Sequence, residues 1–153
     1  MIRKNAYAFL LFFIAAGLLV SLYALKQHLA PLGGGGCNVN ATFNCDLVNR
    51  GPYGEILGFP VAAIGLIGYL MMGIVAIHFS RSKDPVIGKA LLAMMAGGIG
   101  FSLYLTFLEA FVIHAWCLLC LASLSSIIGT SLAGHMTYRE FTAVPAPSEA
   151  PKP

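Results

Sequence analysis

Charge is what this chain has least of: nine lysines and arginines and six aspartates and glutamates in 153 residues, 10% of the total. An average soluble domain carries roughly a quarter. A chain that is also 58% hydrophobic cannot clothe itself in solvated side chains, which excludes an ordinary water-soluble domain. The net charge of +3 comes from scattered basic residues. No dense positive face is available for phosphates, so no nucleic-acid partner is expected. Also missing is the alternation of apolar and polar residues, in segments of about ten, that marks a membrane barrel.

Where charge is absent, four apolar windows stand out. One runs from Tyr7 to Leu25, and the others lie between Glu55 and Arg81, between Lys89 and Glu109, and between Glu109 and Arg139. At a rise of about 1.5 Å per residue, each is long enough to cross a hydrocarbon core of about 30 Å. Continuous runs of this length satisfy their backbone inside lipid only as helices. The expectation is an all-α integral membrane protein, a four-transmembrane-helix bundle over residues 1–140, with spans near 7–25, 57–79, 87–110 and 116–136, solvated by membrane lipid. Arg3 and Lys4 give the first window the start of a signal peptide, but it is long, and Leu22 and Tyr23 before Ala24 offer no small-x-small cleavage site, which favours a retained span. No Pro or Gly marks a turn between Glu109 and Trp116. Length requires one there, since a helix from Val86 to Tyr138 would far exceed the bilayer. Gly65, Gly68, Gly73, Ala93, Gly97, Gly98 and Gly100 read as close helix contacts. Residues 141–153, rich in proline, read as a disordered cytoplasmic tail.

Four spans put the termini and the middle loop on one side. That side holds Arg3, Lys4, Arg81, Lys83, Lys89, Arg139 and Lys152, against Lys26 and Arg50 on the other, seven to two. The excess of basic residues places both termini in the cytoplasm. All four cysteines, Cys37, Cys45, Cys117 and Cys120, then face an oxidising compartment, where pairs of thiols form redox-active or structural disulfides. In Cys117-Leu118-Leu119-Cys120 the thiols share one helix face within bonding reach. Cys117 falls in the first turn, where the helix dipole and free N–H groups favour a thiolate; Cys120 lies one turn deeper toward lipid. Trp116 has the position of an interfacial aromatic. Cys37 and Cys45 close a short polar loop, so a bridge there adds little stability and suits reduction. The four glycines at 33–36 before it form a tether able to let Cys45 swing toward Cys117. From the residues alone three readings remain: a dithiol relay, a soft-metal site using the cysteines with His28 or His114, and two inert disulfides.

The loop from Cys37 to Cys45, the run Tyr53-Gly54-Glu55-Ile56-Leu57-Gly58-Phe59-Pro60-Val61 leading to Gly65 and Tyr69, and the Cys117/Cys120 pair together resemble the vitamin K epoxide reductase family, specifically its bacterial members. The other quinone-coupled disulfide-forming membrane family of bacteria carries its pairs in the reverse order. The resemblance implies a quinone-dependent thiol oxidoreductase of the cell inner membrane, with its cysteines on the periplasmic side. A thioredoxin-like periplasmic dithiol protein would attack Cys37, Cys45 would shuttle to Cys117, and Cys120 would touch a quinone of the ubiquinone, menaquinone or vitamin K type. Some members carry a fused thioredoxin-like domain; here a short tail follows the last span, so a separate partner is expected. One departure concerns the Ser or Thr that the family usually has shortly after the second loop cysteine. Asp46 to Phe59 contains neither, and Gly51 stands at the corresponding count. Asn49 and Tyr53 are the substitutes expected at the quinone. Glu109 and His114, near the third turn, are candidates to relay protons to the reduced quinone.

Overall fold

A computed structural model describes residues 2–31, 37–38, 40 and 42–142. The glycine stretch 33–36 and the expected tail beyond residue 142 lie outside the described residues. The chain runs through α1 (Ile2–Leu29), a short α2 (Cys45–Asn49), a two-stranded hairpin of β1 (Glu55–Ile56) and β2 (Phe59–Pro60), then α3 (Val61–Ser82), α4 (Pro85–Leu108), a wide π-type turn (Glu109–Ile113) and α5 (Leu118–Thr142). Four of these helices are long and apolar enough to cross a membrane, and the molecule is an all-α four-helix membrane bundle apart from the small hairpin.

Three boundaries differ from expectation. The second span starts at Val61 rather than near 57, because Leu57 and Gly58 both take positive φ (54° and 80°) and fold the chain back, pairing Glu55 with Pro60 and Ile56 with Phe59. Positive φ at both central residues matches the twist of a tight hairpin. The third span passes beyond Leu108 into the π turn, and His114 at φ 55° ends it. That left-handed residue does the work for which glycine or proline would be the usual signal. The fourth span reaches Thr142, so residues 141 and 142 are helical instead of tail. The link from α3 to α4 is short for a local reason. Lys83 takes the left-handed conformation after α3 and donates its N–H to Phe79 (2.8 Å); Asp84 then caps α4 by accepting the Val86 N–H (2.8 Å), with Pro85 in the first turn.

α1 packs on α5 and α3, and α4 packs on α5 and α3. Leu10, Ile14, Met72, Ala76, Phe79, Leu91, Met95 and Ile127 form the main core, with Tyr138 and Phe141 of α5 against Phe79 at the end where α3 meets α4. No more than 28% of any span's most apolar stretch is buried inside the protein. Phe9, Phe12, Ile67, Leu103, Phe107 and Leu132 point outward instead, so lipid is the solvent that this surface requires. Three buried hydroxyls of α5 are satisfied within their own helix: Ser126, Thr130 and Thr137 each donate to the carbonyl four residues back (2.8 Å).

The expected close-contact glycines divide. A Cβ on Gly98 would stand 2.9 Å from Ile127, a true close approach. Gly68, Gly97 and Gly100 have no heavy atom within 4 Å of that position, so they do not hold helices together. Gly68 and Gly97 line open space among the helices.

Candidate functional site

The site begins with a polar loop that is pinned at several points. Cys37 and Cys45 form a disulfide with their Cα atoms 5.7 Å apart. Asn44 caps α2 by accepting the Leu47 N–H (3.0 Å), and Asn38 bonds Asp46 twice, donating from its amide (2.7 Å) and accepting from the backbone N–H (3.2 Å). At the other end of α2, the Asn49 amide donates to the Ala24 carbonyl (2.8 Å) and Arg50 donates to the Gln27 and Pro31 carbonyls. Arg50 thereby places positive charge on the C-terminal carbonyls of α1. His28 Nδ1 donates to the Asn49 carbonyl (2.7 Å) while its Nε2 stands 3.2 Å from Glu55 Oε1, so this histidine is engaged away from the sulfurs.

The loop also pairs with the segment before α5. Phe43 and Trp116 form an isolated parallel β-bridge: the Trp116 N–H donates to the Thr42 carbonyl (2.8 Å) and the Asn44 N–H to the Trp116 carbonyl (3.2 Å). Cys45 follows one side of the bridge and Cys117 the other. Cys37, Cys45 and Cys117 are buried in one cluster with Val48 and Ala115, and Cys120 packs against it. Two pairs distant in sequence are thus brought into one cluster. Cys37, expected to be presented to a partner, is only 6% exposed, because it packs into this cluster.

Cys117 and Cys120 are free thiols. Cys117 stands just before α5, and its carbonyl accepts the Leu121 N–H (3.0 Å), the bond that opens the helix. Its thiol is held below the ordinary cysteine value, chiefly by a hydrogen bond from the Cys120 thiol and further by N–H groups of the first turn, against burial and the nearby Glu109 charge. Glu109 is 1% exposed. Its Oε2 accepts the Cys117 N–H (3.0 Å), and its Oε1 is buried with no hydrogen bond among the described residues. The carboxylate and the two sulfurs lie within 4.8 Å of one another, three donor atoms that could also hold a metal ion. His114 is exposed at the turn and is not part of this group.

Two cavities meet at Cys120. The larger, about 340 Å³, lies among all four long helices and is walled mostly by apolar side chains, among them Met72, Met94 and Phe101, with Cys117 and Cys120 at one end. Tyr69, whose hydroxyl donates to the Ser123 carbonyl (2.8 Å), lines it as well. The smaller, about 30 Å³, is lined by Cys120, Glu109, Asn49 and Tyr53 together with apolar side chains such as Val48, Leu105 and Leu108. Asn49 borders both, whereas Tyr53 borders only the small one.

The model of the vitamin K epoxide reductase family matches residues 8–133. The chain belongs to that family. It is therefore a membrane oxidoreductase of a family that works with quinones. Within this vitamin K epoxide reductase homologue, the missing loop hydroxyl has a structural reason. A Cβ at Gly51 would collide with the Leu47 carbonyl oxygen, so no side chain fits while α2 keeps its present course. The residues that sequence reasoning missed, Tyr69, Phe101 and Met94 on the cavity wall, sit on uniformly apolar helices whose pattern does not say which face is inward. Tyr69 alone carried a signal, as a phenol in the middle of a span.

Proposed function

We propose that the chain is a quinone-linked thiol oxidoreductase that supports disulfide-bond formation outside the cytoplasm. The observation behind this reading is the packing of both cysteine pairs into one cluster, with Cys37, Cys45 and Cys117 buried and the inner pair bordering a large apolar cavity. A volume of about 340 Å³ with apolar and aromatic walls suits a flat apolar ring, and its few polar groups, the thiols, Asn49 and Tyr69, can orient one. A quinone bound there would accept two electrons and two protons. The chain's own groups carry the rest. Both inner sulfurs border the cavity; Cys120, left with the electron pair when its bond to Cys117 opens, is the one that would face a quinone, and Asn49 offers a polar group in the same lining.

Electrons enter through the loop. A thioredoxin-like protein in its dithiol form attacks Cys37 of the Cys37–Cys45 bond and leaves with its own cysteines oxidised, giving a loop dithiol. Because Cys37 is buried, this step requires the loop to open. Cys45 as thiolate then exchanges with Cys117, whose bond to Cys120 breaks, and reclosure of the loop bond leaves Cys117 and Cys120 as the reduced pair. The arrangement with the loop oxidised and the inner pair reduced is the one described above. The basic residues near the opposite ends of the spans favour an extracytoplasmic position for this centre, with both termini in the cytoplasm, in the inner membrane of a bacterial cell.

The test uses purified protein in lipid, a thioredoxin-like dithiol protein and a soluble quinone analogue. Quinone-dependent loss of partner thiols is expected, and it should vanish in Cys120→Ser. Turnover that survives this substitution refutes the assigned roles. The cluster of Glu109, Cys117 and Cys120 favours one rival, a site for a soft metal such as zinc or copper(I). Stoichiometric metal in the purified protein, with both thiols closed to alkylation, would establish that rival instead.

A further inference from the structure

Glu109 is a carboxyl group almost wholly removed from solvent, and its position answers to more than one need. Oε2 accepts the Cys117 N–H, Oε1 has no hydrogen bond among the described residues, and a carboxylate oxygen lies within 4.8 Å of both inner sulfurs. A carboxyl buried beside two sulfurs is costly to keep, so its retention calls for a use. The carboxyl also lines the small cavity, whose other residues include Cys120, Asn49 and the exposed Tyr53. About 30 Å³ is room for roughly one water molecule beside polar groups. Cys120 therefore borders the large cavity and also a small one that takes in the Glu109 carboxyl and the exposed Tyr53.

We propose that Glu109 is the proton carrier of the inner cysteine pair. When the Cys117–Cys120 bond is opened by an incoming thiolate, that sulfur bonds to Cys117 and the electron pair of the broken bond leaves on Cys120. Glu109 in its acid form gives its proton to the Cys120 sulfur and becomes a carboxylate. When the pair closes, the carboxylate takes the Cys120 thiol proton back, the Cys120 thiolate attacks Cys117 of the mixed disulfide, and the earlier sulfur departs as thiolate. The carboxyl exchanges its proton with water through the small cavity. Every electron in this cycle moves between sulfurs, so the inference rests on the dithiol–disulfide part of the proposed function and needs no quinone. The titratable groups around Glu109 are the Cys117 and Cys120 thiols and Tyr53, which shares the lining of the small cavity.

The experiment follows full-length, fully oxidised protein in lipid nanodiscs, without quinone, as dithiothreitol reduces it over a range of pH. Acid quenching, mass-tag alkylation and peptide mapping give separate time courses for the loop bond and the inner bond. In Glu109→Gln, which keeps an oxygen for the Cys117 N–H, the inner bond should open about 100-fold more slowly at neutral pH, the usual scale of lost proton transfer. Its rate should also lose the component that falls as a carboxylic acid is deprotonated. Glu109→Asp should recover much of the rate and that component, and the loop bond should open at the same rate in all three proteins. Removing a negative charge would by itself ease attack by an anionic thiolate, so a purely electrostatic role predicts faster opening. An inner bond that opens at or above the wild-type rate in Glu109→Gln, or slows with an unchanged pH profile and no rescue by aspartate, overturns the proposal. Neither result depends on whether the protein reduces quinones.

Discussion

Cys117 and Cys120 are three residues apart, yet their surroundings differ. Cys117 lies at the head of α5 and receives the Cys120 hydrogen bond, which lowers its thiol below the ordinary value. A lowered value means that the thiolate persists to more acid pH. Cys120→Ala removes the main cause, so the pH at which Cys117 alkylates half-maximally should move upward; stopped-flow alkylation of the reduced protein measures it. The same residues show what could be read in advance. Thiols and an acid among apolar helices are conspicuous, and Glu109 was singled out as a charge between two long windows. Its contact with Cys117 was not legible, because that depends on the π turn. Asn49 lines the cavity as a side chain tied to α1 through the Ala24 carbonyl.

Among the elements, the least regular ones build the site. The π turn sets Glu109 behind Cys117, and the Phe43–Trp116 bridge sets Cys45 before it. Trp116 reads from sequence as an interfacial aromatic, and nothing in a side chain reveals a backbone pairing. Trp116→Pro deletes the N–H that donates to Thr42, while Trp116→Phe retains it. Losing one such bond costs about 1 kcal/mol, so in a Cys120→Ser background the proline variant should form the Cys45–Cys117 crosslink about fivefold more slowly than the phenylalanine variant. Non-reducing gels after an acid quench give the rates. The hairpin was likewise hidden: Leu57 is 95% exposed and apolar, and it extends the apolar run of α3 in sequence although the chain reverses there. Gly58 and Pro60 were the available signals.

For the molecule as a whole, hydropathy reveals the spans well and the interior poorly. In lipid the outside of a helix is as apolar as the inside, so the four spans emerged from composition while the cavity among them did not. The glycines that read as packing contacts partly serve as its walls. Gly97→Leu has room for its new side chain, with nothing within 4 Å of the Cβ position, and would project into the large cavity. It should raise the KM for a soluble quinone analogue by about tenfold, the scale of an overpacked pocket, and leave dithiothreitol reduction of the loop bond unchanged. Steady-state kinetics in nanodiscs check both. The β-bridge has a further consequence for how such a chain is made. Phe43 is synthesised before α3 and α4, and its pairing residue, Trp116, comes only after them. Until α5 has entered the membrane, Phe43 of a nascent chain has no pairing residue, so the cluster that joins the two cysteine pairs is completed only by the last helix.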